Sequence, residues 1–137
     1  MSSSLYQEVI LDHYHHPRHH GVLKNPTHKS DANNPLCGDH LAMQARVTSG
    51  TAREVVFTGD GCAISIAAAS LLLDQVQGKK VTVIAQLAPQ DVLDLIGLEL
   101  TPNRVKCALL SLETLQKLFA TKATAKTTKR KAQRRGR

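Results

Sequence analysis

The chain of 137 residues has the length of one domain, and its formal net charge of +7 comes from one end of the sequence. Residues 121–137 hold eight basic residues and no acidic one, so residues 1–120 are close to neutral and carry no basic binding face. No apolar run reaches the length of a membrane span, and three cysteines without a C-x-x-C pair argue against a disulfide framework. We therefore expect a soluble cytoplasmic protein with reduced thiols and no membrane partner.

The first predicted element is a helix that is capped by Ser4 and ends before Pro17. Its apolar face is formed by Leu5, Val9, Ile10 and Tyr14. Five histidines follow between residues 13 and 20, a composition that can indicate a metal site. They straddle the predicted helix end, so no i, i+4 pair is available on one helix. We favour a solvated, half-protonated loop that meets an acidic partner.

Residues 22–34 are polar and rich in Asn and Pro, which predicts loop and turn. From residue 41 to 47, apolar and polar residues alternate, which predicts a half-buried strand. Ser49-Gly50 is a hairpin turn, and residues 52–58 form the antiparallel return strand.

The pattern then changes from strand to helix at a glycine-rich corner. Gly59 and Gly61 are expected to allow positive φ and close backbone approach. Cys62 follows them at the start of a helix over residues 63–77. Unpaired N–H groups and the helix dipole at that position favour a thiolate, the form that binds metal or attacks sulfur.

The remaining residues predict more helix and a tail. Gly78 ends the helix before it, and residues 81–84 fit either a short strand or the lead-in to a helix. Helices are expected from Pro89 to Gly97 and from residue 102 to 119. The last helix has one apolar face, formed by Val105, Leu109, Leu112, Leu115 and Phe119. Residues 121–137 should be disordered, and without an aromatic residue to stack on a base they argue against nucleic-acid binding.

The three cysteines and one aspartate form the candidate site. Cys37 and Asp39 are two residues apart, so in an extended segment their side chains point to the same side. With Cys62 at its corner and Cys107 near a helix start, they offer three thiolates and one carboxylate. That set suits tetrahedral Zn²⁺, and the same thiolates suit iron and sulfide, so the residue types leave the metal open.

Short motifs around these residues resemble the NifU N-terminal/IscU family, in a consistent order over residues 4–118. They are Leu5-Tyr6, Asp12-His13-Tyr14, Pro17-Arg18, Gly21-Val22-Leu23, Asn33-Asn34-Pro35-Leu36-Cys37-Gly38-Asp39, Gly59-Asp60-Gly61-Cys62-Ala63-Ile64-Ser65 and Arg104-Val105-Lys106-Cys107-Ala108-Leu109-Leu110.

The resemblance implies a SufE/NifU-like α+β domain over residues 1–120, with an antiparallel sheet of about three strands packed against helices. It implies a scaffold or sulfur acceptor for iron-sulfur cluster assembly, rather than an enzyme with its own turnover, although sulfurtransferase-like activity also fits. The implied partners are a cysteine desulfurase and an acceptor apoprotein or carrier. Cys37, Cys62 and Cys107 are similar to the ligands of the transient cluster or Zn²⁺, and Asp39 to the fourth ligand of the zinc-bound state.

Two features bear on the branch of the family. IscU proteins have a histidine before the third cysteine, whereas Lys106 stands here, and the Arg-Val-Lys-Cys motif resembles the SufU branch. In that branch Cys37 would take the persulfide, and Arg104 would pair with Asp39 once that cysteine leaves the zinc. SufU proteins usually carry an extra segment that residues 81–102 lack. Zinc-bound relay and cluster scaffold therefore both stay open.

Two other classes of function fit parts of the sequence. One is a structural zinc module whose basic tail binds nucleic acid, and such a module should unfold when its metal is removed. The other is a thiol hydrolase or transferase with Cys62 as nucleophile and a histidine as base. No histidine has a sequence context that pairs it with Cys62.

Overall fold

The computed structural model describes residues 3–35 and 38–120, apart from the side chains of Ser3 and Ser4. Cys37 and the predicted disordered tail, residues 121–137, lie outside the described residues. The elements are, in chain order, α1 (Ser3–His15), β1 (His28–Asn34), β2 (Asp39–Thr48), β3 (Thr51–Asp60), α2 (Ala63–Val76), β4 (Lys79–Lys80), α3 (Val81–Ala85), α4 (Pro89–Ile96) and α5 (Pro102–Ala120).

The strands form one antiparallel sheet in the order β1-β2-β3-β4, and the helices pack against it and against each other. Helix α5 lies on β1 and β2, α2 lies on β3 and α5, and α1 lies on α2. The predicted α+β class is confirmed, and β4 adds a fourth, two-residue strand to the three expected. No helix in residues 3–35 or 38–120 combines the length and apolar character needed to cross a membrane.

The central hairpin forms as the alternating pattern predicts. Along β2, buried and half-buried side chains alternate from Asp39 to Arg46. Ser49 and Gly50 have φ of 54° and 76°, so both turn residues are left-handed, as a type I′ hairpin turn requires. Strand β3 continues beyond the predicted end to Asp60 and delivers Phe57, 1% exposed, into the core.

The loop predicted over residues 22–34 is wrong in its second half, because residues 28–34 form strand β1. Their side chains are mostly polar, so no apolar alternation marks the strand. The segment pairs with β2 along its length, and only Ala32 and Asn34 of this strand are buried. Tertiary pairing therefore overrides the local preference of the segment for loop and turn.

The predicted apolar faces of the first and last helices are partly wrong. On α1, Ile10 is buried as expected, but Leu5 and Tyr14 are exposed. On α5, Leu112 and Leu115 are buried, whereas the other three predicted residues are only half-buried. The further buried residues of α5 are Cys107, Ala108, Leu110, Ser111, Thr114 and Leu118. This helix contacts both the sheet and α2, so its covered face is wider than one stripe.

The other helix predictions agree better with the structure. Helix α4 is confirmed, ending at Ile96 with Gly97 in the left-handed conformation. Residues 81–85, which fitted strand or helix, form the short helix α3. Helix α1 begins at Ser3, so Ser4 lies inside it rather than capping it.

Part of the histidine-rich segment packs against α2, contrary to the predicted solvated loop. His13 is buried, and its Nδ1 lies 2.7 Å from the hydroxyl of Ser70, which also accepts the backbone N–H of Arg18 at 2.8 Å. His19 Nε2 lies 3.0 Å from Asp74 Oδ1. The other three histidines of the run are exposed, as expected. The segment therefore fastens the end of α1 to α2.

Acidification should weaken the fold through His13. Burial lowers the pKa of His13 below its ordinary value, and the Arg18 guanidinium lowers it further. Below about pH 6.5 the unfolded chain therefore binds more protons than the folded one. The contribution of His13 to stability is present above that pH and is lost as the pH falls. Urea unfolding at about pH 7.5 and about pH 5.5 measures the loss.

The matched variant for this test is His13→Gln, which does not titrate but keeps an amide for the Ser70 hydroxyl. It should lose less stability than the wild type over the same pH interval. The stability of the variant should still depend somewhat on pH, because burial also lowers the pKa of His28. Equal losses in the two proteins would show that His13 does not carry the effect.

Candidate metal centre

Three of the four predicted ligand residues meet at one end of the sheet. Asp39 opens β2, Cys62 stands two residues beyond the end of β3, and Cys107 lies in the second turn of α5. The start of β2 and the end of β3 are adjacent because the two strands are antiparallel. One ligand atom of each residue lies within 4.8 Å of the other two. Cys37 lies outside the described residues, so its place in the centre stays a prediction.

Cys62 holds the corner that joins β3 to α2, as the change of pattern predicts. It is the N-cap residue of α2, in an extended conformation with φ −73° and ψ 170°. Its backbone N–H donates to Asp39 Oδ1 at 3.0 Å, which ties the corner to β2. The hydroxyl of Ser65 donates to the carbonyl of Cys62 at 3.0 Å and closes the first turn of the helix.

The two glycines of this corner are needed for close approach and not for positive φ, since neither Gly59 nor Gly61 is left-handed. A Cβ atom on Gly59 would strike the backbone carbonyl of His40. On Gly61 it would strike the hydroxyl of Ser65 and come within 2.7 Å of Asp39 Oδ1. Gly61 therefore keeps open the space that the Asp39 carboxylate occupies.

One oxygen of Asp39 has no partner in the described structure. The residue is 1% exposed, and its Oδ2 is buried without a hydrogen-bond donor, while Oδ1 accepts the Cys62 N–H. Buried carboxylate oxygens are costly unless a donor or a cation satisfies them. Two thiol sulfurs stand within 4.8 Å, so the donor set suits a cation that accepts thiolate and carboxylate together. The residues present therefore fit a bound metal.

The pKa of the Cys62 thiol is lower than usual. Burial raises it, but hydrogen bonds from the backbone and hydroxyl of Ser65 and from the Cys107 thiol outweigh burial and the opposing charge of Asp39. Cys62 Sγ and Ser65 Oγ lie 3.8 Å apart. The site therefore favours the thiolate, which is the form that binds metal or attacks sulfur.

Asn34 is a site residue to which the sequence reasoning gave no role. It lies opposite Asp39 in the β1–β2 register, and its Nδ2 donates to Cys107 Sγ at 3.9 Å. The sequence carries little signal for it, because Asn34-Pro35 is typical of a turn. The sequence did carry a signal for Asp39, because Asp39 stands two residues before the buried Leu41 and therefore lies on the same face of β2.

Arg104 and Lys106 are exposed on α5, and within the described ranges no ion pair joins Arg104 to Asp39. Their predicted pairing concerned the state in which a cysteine has left the metal, and it stays a prediction. No histidine of the described residues belongs to the Asp39 cluster, so the thiol hydrolase hypothesis gains no base for Cys62.

Comparisons with known proteins agree with this geometry. Residues 5–130 match the family model described as the NifU-like N terminal domain. The zinc-dependent sulfurtransferase SufU of Bacillus subtilis is 33% identical over 131 residues, which cover 83% of this chain and 88% of that protein. The scaffold protein IscU of Aquifex aeolicus is 34% identical over 112 residues, which cover 80% of this chain and 71% of that protein.

A solved structure gives the same result for the fold. The crystal structure of the SUF-system protein FiSufU from Fervidobacterium islandicum superposes with a TM-score of 0.72. The two sequences are 25% identical, and the match covers 86% of this chain and 98% of the other.

Proposed function

This chain belongs to the NifU N-terminal family, and on that premise we propose that it is an iron-sulfur cluster assembly protein that accepts sulfur from a cysteine desulfurase. Its relatives include a zinc-dependent sulfurtransferase and a cluster scaffold. The proposal therefore covers a zinc-bound sulfur relay and a scaffold on which the cluster is built as cargo. In both modes the chain works with a desulfurase, and the zinc-bound relay includes sulfurtransferase-like activity.

One observation carries the proposal: the sulfurs of Cys62 and Cys107 and an oxygen of Asp39 lie within 4.8 Å of one another, and the buried Oδ2 of Asp39 has no donor among the described residues. With Cys37 added from the sequence, the ligands are three thiolates and one carboxylate. Zn²⁺ accepts such a set, and the three thiolates would also hold iron and sulfide. Asp39 is the weakest and most exchangeable of the four ligands.

Cys37 is proposed as the sulfur acceptor. Its thiolate attacks the terminal sulfur of the donor persulfide, a new S–S bond forms, and the donor S–S bond breaks. The donor cysteine leaves as a thiolate, so the step needs no oxidant. Arg104 is proposed to pair with Asp39 while Cys37 is away from the metal.

We place this activity in residues 1–120 of a cytoplasmic protein, with the basic tail over 121–137 outside the assembly site. The proposed recipient of the cluster or the sulfur is an acceptor apoprotein or a carrier. Nothing in the described residues favours the alternative of a nucleic-acid-binding zinc module, because side chains from the sheet and the helices form a continuous apolar core.

The test is anaerobic analysis of metal and sulfide, before and after incubation with a cysteine desulfurase and cysteine. The isolated protein should contain stoichiometric zinc or iron, and incubation should add persulfide sulfur to Cys37, found by peptide mass mapping. The controls are incubation without cysteine and a Cys37→Ala variant. The proposal fails if no sulfur is transferred, and Cys37 loses its role if the variant is labelled as well as the wild type.

A further inference from the structure

The buried amide of Asn34 has no role in the proposed sulfur transfer. Asn34 is 7% exposed, at the end of a strand in which only Ala32 is also buried. It shares the inward face of β1 with Ala32 and lies opposite Asp39 in the register. A polar side chain in a buried position needs hydrogen-bond partners to offset its loss of water.

Cys107 is such a partner. The amide Nδ2 donates to Cys107 Sγ at 3.9 Å, within the range of hydrogen bonds to sulfur, and Cys107 is 1% exposed. The bond joins residues 73 positions apart, so it fixes α5 relative to the end of β1. It also directs an N–H at the sulfur that stands within 4.8 Å of the Asp39 and Cys62 ligand atoms.

We infer that Asn34 is a positioning residue of the metal centre, acting through the sulfur of Cys107; the inference rests on the proposed function. An N–H donor aimed at a thiolate ligand fixes its orientation and stabilises its negative charge. Partners of this kind around metal ligands matter nearly as much as the ligands, and their loss typically lowers metal affinity about tenfold to a hundredfold. Hydrogen bonds to sulfur also tune the electronic properties of thiolate-bound metals.

Asn34 also lines a groove beside the metal centre. The groove has a volume of about 240 Å³, and its other lining residues include Asn33, Lys106 and Glu113. Asn34 therefore links this groove to the Cys107 sulfur through its Nδ2 hydrogen bond.

The test compares Asn34→Leu, which keeps a similar side-chain shape but has no donor, with Asn33→Leu. Asn33 is the matched control because it is exposed on the same strand and lines the same groove, while the described hydrogen bond to Cys107 comes from Asn34. Zinc affinity is measured by competition with a chromophoric chelator, and Co²⁺ is used to record the thiolate-to-metal charge-transfer absorption. Urea unfolding of each metal-free protein measures stability separately.

Asn34→Leu should bind zinc about tenfold to a hundredfold more weakly and shift the Co²⁺ absorption, whereas Asn33→Leu should match the wild type. A role in stability alone would lower the unfolding free energy of the metal-free protein but leave the affinity and the absorption unchanged. That result would overturn the inference while leaving the proposed centre intact. If the wild type itself binds no metal, the proposed centre fails first.

A measurement on the wild type avoids the risk that Asn34→Leu does not fold. Protein loaded with NMR-active cadmium should show scalar coupling between the metal and a side-chain amide proton of Asn34, transmitted through the N–H···S bond. Coupling to the cysteine Cβ protons alone, with none to Asn34, would contradict the inference.

Discussion

A Cys107→Ser variant should lose tight zinc binding and still fold. Cys107 supplies one of the two described sulfurs of the centre, and serine offers a much poorer ligand for Zn²⁺. We expect the affinity to fall by more than about a hundredfold, the upper end of what losing only a hydrogen-bond partner of a ligand costs. Chelator competition measures the affinity, and urea unfolding of the metal-free protein measures the fold.

The fold should persist because its core does not depend on the centre. Large side chains from the sheet and the helices are fully buried, and each contributes about 1.5–3 kcal/mol by leaving water. They include Leu41, Met43, Phe57, Leu72, Leu73, Ile84, Ile96, Leu115 and Leu118. A structural zinc site would instead supply on the order of 10 kcal/mol or more of the folding free energy.

Removing the metal from the wild type with a chelator is the control for the Cys107→Ser result. Metal-free wild type and the variant should both unfold cooperatively, with similar urea midpoints. If both instead lose their secondary structure as soon as the metal is gone, the centre is structural. The hypothesis of a zinc module with a basic tail would then replace the proposed function.

The sequence predicts the parts of this molecule in which local pattern and tertiary role agree. The change from strand to helix at Gly61-Cys62 is readable because a segment rich in β-branched and apolar residues gives way to helical spacing there, and the corner forms as expected. Strand β1 is not readable, since its polar side chains show no alternation and its pairing with β2 comes from the rest of the fold.

In the candidate site, too, local pattern predicts some features and tertiary packing determines the others. Cys62 and Cys107 were found by residue type, but their approach to within 4.8 Å depends on how α5 packs on the sheet, which no local pattern encodes. Asn34 was missed because its role arises only from that packing. The φ values of Gly59 and Gly61 were also beyond local reasoning, since a glycine can serve close approach as well as a left-handed turn.

An Asp39→Ala variant should release its metal more slowly and transfer sulfur more slowly than the wild type. Asp39 is a weak ligand whose departure opens the metal, and a charge pair with Arg104 is proposed to compete for it. Without the carboxylate, the centre loses this route of ligand exchange. The rate of zinc release to a chelator and the rate of sulfur uptake from a desulfurase measure the two effects.

Asp39→Asn is the matched control, because its amide oxygen can still accept the Cys62 N–H that Oδ1 accepts at 3.0 Å. If charge is what matters, both variants should release zinc slowly. If the hydrogen bond is what matters, only Asp39→Ala should differ from the wild type. Arg104→Gln tests the exchange step separately. It should slow sulfur uptake without weakening zinc binding, since no ion pair joins Arg104 to the described part of the centre. An Asp39→Ala protein that loses its metal and unfolds would rule out ligand exchange and make the carboxylate a structural ligand.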